Sequence, residues 1–190
     1  ADLTSADLTN ANLGATDFTD ADLNSVTLDG VRLINASFFH RGNFTGVDLS
    51  GRNLTTADLR DADLTGADLT GAVLQQVTAQ NAIFNDAYLV EANLTRSNFT
   101  GADLSGADLS GANFREVDFT ETTLSGVNFY GTALRGSRFI NVNLSGFNCS
   151  VHNLDDVNFS GSDLSDVDLT SATLRRSNLS GADLSGANLM

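Results

Sequence analysis

Leucine or phenylalanine returns at every fifth residue from Leu3 to Leu189, in the frame Ala-(Asp/Asn)-(Leu/Phe)-(Ser/Thr)-(Gly/any). A helix needs apolar residues at intervals of three and four, and a half-buried strand needs alternation. A sustained period of five matches neither. It is met by a backbone that turns a corner every five residues. Within each repeat the large residue and the small one two before it fall on the same side, as local two-residue periodicity requires. The Ser/Thr and Gly/Asp that follow are the residues that suit a corner, since they are small or tolerate positive φ. Proline is absent, so no backbone donor is lost along the chain.

The first centres are Leu3, Leu8, Leu13, Phe18, Leu23, Leu28, Leu33 and Phe38. The next is Phe44, which places one extra residue between Phe38 and Phe44. Ala79 and Cys149 are the two centres that are neither Leu nor Phe. The small position is broken at Gly42, Arg52, Phe147 and His152. The spacing leaves the number of repeats per turn open. A register of 20 stacks Phe99, Phe119, Phe139 and Phe159, and a register of 15 stacks Phe84, Phe99, Phe114 and Phe129.

Stretches such as Ala67-Asp68-Leu69-Thr70-Gly71-Ala72 and Gly101 to Phe114 carry this frame without deviation. The chain resembles the pentapeptide-repeat family over essentially all of its 190 residues. The resemblance implies an all-β right-handed quadrilateral parallel β-helix with four repeats per coil. The 38 repeats then make about 9.5 coils, a single domain over 1–190. At a strand spacing of about 4.8 Å that is a rod roughly 45 Å long. Stability in such a solenoid is nearly additive along its length.

The formal net charge is −14, with 24 Asp and Glu against 10 Arg and Lys, all of the latter arginine. That balance argues against direct binding to nucleic acid or an anionic membrane. It favours a basic partner or a salt-rich setting. Folded into four columns, the residue before each centre sorts charge unevenly. One face carries Asp2, Asp22, Asp63, Asp103, Asp163 and Asp183, and the next Asp7, Asp48, Asp68, Asp108 and Asp168. The candidate interaction residues are therefore Asp48, Asp63, Asp68, Asp103, Asp108, Asp163, Asp168 and Asp183. A third face has Asn12, Arg32, Asn53, Asn93, Asn113 and Asn153, with Arg115, Arg135 and Arg175 just beyond its centres. The fourth, with Asp17, Asp58 and Asp118, is intermediate.

Phe39, His40 and Arg41 form a candidate irregular corner, where the extra residue bulges outward. Arg52 and His152 fall at inward positions and must either reach backbone carbonyls or escape to solvent. Cys149 takes a central seat and reads as a small buried hydrophobe. Cys149 and His152 are too few ligands for a zinc site. The Asn-x-Ser/Thr tripeptides, Asn35 among them, are by-products of the repeat. No nucleophile stands matched to a base, so the chain reads as a non-enzyme with no cofactor.

The expected function is a non-catalytic structural or protein-interaction solenoid. Both termini begin and end on frame without a cap, which implies association through the ends, including an end-to-end homo-oligomer. The family resemblance implies an alternative, a DNA mimic of the quinolone-resistance type that binds DNA gyrase or another topoisomerase. The missing lysine also suits a rod adapted to high salt. No signal peptide or transmembrane run is present, which leans toward the cytoplasm.

Overall fold

The computed structural model describes residues 1–13, 16–24, 26–27 and 39–190. Leu28, Arg32, Leu33, Asn35 and Phe38 lie outside the described residues. Parallel backbone bridges join residues 20 apart, as in Asp48↔Asp68, Asn53↔Val73, Asp58↔Thr78 and Asp63↔Ile83. An offset of 20 on a frame of five means four repeats per turn. Each face contributes one bridged residue per coil, so the faces are columns of isolated bridges and not extended strands.

Two hydrogen bonds make a regular rung. Asp103 N–H donates to Ala82 C=O at 3.0 Å, and Leu104 N–H donates to Thr123 C=O at 2.9 Å. The corner is a type II turn. Ala107 N–H donates to Leu104 C=O at 3.0 Å, and Gly106 between them stands at φ 71°. Such a turn requires positive φ at its third residue, which explains the Gly, Asn and Asp at the fifth place of the frame. The turn is also braced from the side. Asp103 Oδ1 accepts the Ser105 N–H at 2.9 Å and the Ser105 hydroxyl at 2.6 Å. Asn does the same: Asn143 Oδ1 accepts the Ser145 N–H at 2.9 Å.

The core is a column of centres with small residues between them. Phe119 stacks on Phe139 at 5.0 Å and 15°, and Phe139 on Phe159 at 5.6 Å and 14°. Phe99 continues the column below Phe119 at 6.0 Å. Ala79 interrupts it, and Phe84 on the adjoining face leans to within 5.2 Å of Phe99. Cys149 is buried as expected, and burial pushes its thiol up to about 12.

The position of the extra residue needs correcting. Phe39, not Phe38, takes the central seat: it stacks on Phe18 at 5.7 Å and 9°, and is buried. Phe39 to Phe44 is then an ordinary repeat of five. The bridge Asp7↔Thr27 keeps an offset of 20, whereas Asp22↔Asn43 spans 21. The additional residue therefore falls within 28–38. Nor do Phe39, His40 and Arg41 form an irregular corner. Gly42 N–H donates to Phe39 C=O at 2.9 Å, and Arg41 stands at φ 54°, as in any other turn. The ring of Phe39 fits the aromatic column. His40 pairs with Asp61 at 3.1 Å and Arg41 with Asp20 at 2.7 Å, across neighbouring coils.

Among the described residues from 39 onward, the bridges fail between one pair of coils. Between coil 120–139 and coil 140–159, no bridge joins Thr123 to Asn143, Asn128 to Asn148, or Ala133 to Asn153. Only the fourth face stays joined. There Phe139 N–H donates to Asn158 C=O at 2.7 Å, and Asn158 N–H to Ser137 C=O at 3.0 Å. The cause lies in two consecutive small positions of the later coil. Phe147 sits over Val127 and presses its ring to within 5.4 Å of Phe129. His152 takes a small inward seat, filled by alanine in most coils and by Ser or Thr at a few equivalent places. Ser97 and Thr122 hydroxyls donate to the carbonyls of Leu74 and Phe99 in the preceding coil at 2.6 and 2.8 Å. His152 Nε2 meets Phe129 O at 3.0 Å in the same manner, and Nδ1 meets Ser150 O at 2.9 Å. A ring is longer than a hydroxyl, so the two side chains prise the coils apart.

Candidate interaction surfaces

The eight candidate carboxylates all serve a turn. Asp48, Asp63, Asp68, Asp103, Asp108, Asp163, Asp168 and Asp183 each accept the N–H two residues ahead at 2.9–3.0 Å. One oxygen of each is turned back to the backbone. Hydroxyl and N–H donation hold Asp48, Asp163 and Asp168 below the usual carboxylate range. Asn accepts the same turn bond, as at Asn98 and Asn143, so the turn forms without the charge.

The acidic columns are not continuous. Asp63↔Ile83↔Asp103 run up one face and Asp68↔Tyr88↔Asp108 up the next. Ile83 is 38% exposed and Tyr88 53%. The two share one coil on adjoining faces, so four carboxylates surround a small apolar patch. This arrangement was hidden in the sequence, because Ile83 and Tyr88 stand where the frame places Asp or Asn. A large apolar residue at that outward position is the signal that could have revealed it. Asp163 and Asp183 are bridged neighbours farther along the first face, and Asp168 lies on the second.

The third face is less basic than its arginines suggest. Arg135 and Arg176 both close on Asp156, at 3.1 and 2.5 Å, and Arg96 closes on Glu116 at 2.8 Å. Hydrogen bonds from Arg176 and Arg135 hold the Asp156 carboxylate down at about 2, from 3.8. Arg52 is half-buried in its inward seat.

The model for pentapeptide repeats matches residues 1–38, 42–78 and 153–189, and that for a pentapeptide repeat region matches 74–148. The chain belongs to the pentapeptide-repeat family. No curated protein matches it. Among solved structures, this pentapeptide-repeat chain is similar to HetL from the cyanobacterium Nostoc sp. strain PCC 7120, a pentapeptide repeat protein involved in heterocyst differentiation regulation. The identity is 32% over 99% of this chain and 84% of that one, with a TM-score of 0.47. It is also similar to Rfr23 from the cyanobacterium Cyanothece 51142, at 33% identity over 45% of this chain and 58% of that one, TM-score 0.44. A trypsin-treated form of QnrB1, a plasmid-mediated fluoroquinolone resistance protein, aligns at 17% identity over 93% and 85%, with a TM-score of 0.52. That likeness concerns the fold alone.

Acid should loosen the pentapeptide-repeat rod through the Asp156 cluster. A carboxylate whose folded pKa is depressed stabilises the fold above its unfolded pKa and loses that contribution as pH falls through the folded value. For Asp156 the window runs from 3.8 down to about 2. The melting temperature of the native chain is expected to fall across this window more steeply than that of Asp156→Asn. Superimposable pH profiles of the two proteins would refute the assignment.

Proposed function

We propose that this chain is a non-catalytic protein-interaction rod. Its working surface is the Ile83–Tyr88 patch within the four carboxylates Asp63, Asp68, Asp103 and Asp108. The supporting coil is taken as the right-handed square of the family, with about 9.5 turns. The observation that carries the reading is the placement of these two apolar side chains. They are exposed, adjacent across a corner, and ringed by charges that the turns do not need. An apolar centre within a polar rim is the usual anatomy of a protein interface. The rim is negative, so the matching partner is a protein with basic residues around an apolar contact. Asp163, Asp168 and Asp183 extend the same two faces and would steer such a partner at long range.

The alternative is a DNA mimic directed at gyrase or another topoisomerase, which the family resemblance and the charge support. Ile83, Tyr88, Asn128 and Asn148 break the two acidic faces, which favours a local patch over a long phosphate-like stripe.

The test compares capture of partners from cell extract by three proteins. They are the native chain, Ile83→Ser/Tyr88→Ser, and a variant with Asn at 63, 68, 103 and 108, which keeps every turn bond. A salt-sensitive partner should bind the native chain at least about tenfold more tightly than either variant, the size expected when an interface anchor is removed. A partner indifferent to both variants would sink the reading. Inhibition of purified gyrase that depends on the carboxylates but not on Ile83 and Tyr88 would select the DNA mimic instead.

A further inference from the structure

The break in the ladder is itself a surface with unused bonding capacity. In nearly every other described rung between two coils the N–H of the central residue donates to the later coil, and the N–H of the residue before it donates to the earlier one; the amides of Leu109 and Asn128, next to the break, are exceptions. Across the break, the amides of Leu124, Phe129 and Leu134 on one lip find no partner among the described residues. Nor do those of Asn143, Asn148 and Asn153 on the other. The opening runs continuously round three faces. On the second face it forms a cavity of about 450 Å³ lined by Asn128, Tyr130, Thr132, Asn148, Val151 and His152. The intact fourth face keeps the lips together, with the Arg135–Asp156 ion pair closing one corner.

The rim of this cavity departs from the rest of the rod. Tyr130 and Val151 are each 79% exposed. Val151 also holds φ 56°, in a place elsewhere filled mostly by Gly, Asn, Asp or Glu. A β-branched residue rarely enters that region. Such strain persists only where the surroundings impose it.

We infer that the second-face seam accepts a short extended segment of a basic partner protein, which adds as a strand between the two coils. Backbone pairing follows from the unpaired groups: Phe129 N–H and Asn148 N–H approach from opposite lips, the arrangement that strand addition uses elsewhere. Apolar contact comes from Tyr130 and Val151. The basic character follows from charge. No carboxylate lines the cavity, while Asp108 and Asp168 stand one rung outside it on either side, bridged to Asn128 and Asn148. The inference rests on the reading of the chain as an interaction rod but uses a different surface from the Ile83–Tyr88 patch.

The experiment selects a displayed random heptapeptide library on the native rod and counter-selects it on Phe147→Ala/His152→Ala. Alanine fills these seats in most other coils, so the double variant should close the seam and melt cooperatively. Phe147→Ala alone replaces it if the double change does not fold. Enriched peptides are then made with and without backbone N-methylation. The expected result is peptides rich in Lys or Arg that bind the native rod at least about tenfold more tightly than the variant. They should lose binding on N-methylation and slow hydrogen exchange at Phe129 and Asn148. Absence of any peptide that discriminates the two proteins, or discrimination that survives N-methylation, overturns the inference. Peptides that bind the closed variant but not Ile83→Ser/Tyr88→Ser would also overturn it, while leaving the first patch intact.

Discussion

Replacing Phe119 with alanine is expected to cost on the order of 3–5 kcal/mol, the range for removing a buried aromatic ring. Phe119 is fully buried, with Phe139 stacked above it at 5.0 Å, Phe99 below at 6.0 Å and Phe114 edge-on at 5.2 Å. The backbone round it is fixed by rungs, including Phe119 N–H to Arg138 C=O at 2.7 Å. The coil therefore cannot collapse to fill the gap. Because each coil contacts only its neighbours, the damage should stay local. Hydrogen exchange should quicken most over coils 100–159 and least near residues 50–70. Tyr88→Ala, which removes an exposed ring, should shift stability by only about 0.5 kcal/mol or less. Equal losses from the two changes in chemical denaturation would show that the aromatic column is not the core.

A second wedge should open a second seam. Ala107 lies between Ala87 and Val127 in the same column of small residues as Phe147, and is buried. Ala107→Phe is expected to cost about 1–3 kcal/mol from overpacking alone. Lost rungs add to this at roughly 0.5–1.5 kcal/mol per net hydrogen bond. The amides of Leu89 and Asp108, which now donate to Asp108 C=O at 2.8 Å and Ala87 C=O at 3.0 Å, should become fast-exchanging. A variant that keeps both amides protected would show that a large residue in the small seat does not by itself part the coils. The cause of the break at Phe147 and His152 would then need another explanation.

Much of the architecture is legible residue by residue. The small and large seats of each repeat face inward wherever the frame is regular, because a five-residue corner leaves them no other side. The break was foreshadowed too, since Phe147 and His152 stood out as intrusions in small seats. Their consequence was not legible. A single side chain in a sequence does not show whether its neighbours yield, or whether the backbone does. Here the backbone yielded, since Phe129 and the carbonyls already fill the space. The expectation of an extra residue between Phe38 and Phe44 has a similar origin. Two adjacent phenylalanines satisfy the frame equally, and only the stack on Phe18 selects Phe39.

The sequence by itself determined the repeat, its inward pair of residues, its turn residues and the excess of negative charge, because each of these depends on neighbours within one pentapeptide. Only the tertiary structure decided what depends on residues 20 apart. It chose four repeats per turn over three, set Ile83 and Tyr88 among four carboxylates, and parted the coils at Phe147 and His152. Contacts between coils are set by the offset of the ladder and by whether neighbouring side chains fit, and neither quantity is written in any single repeat.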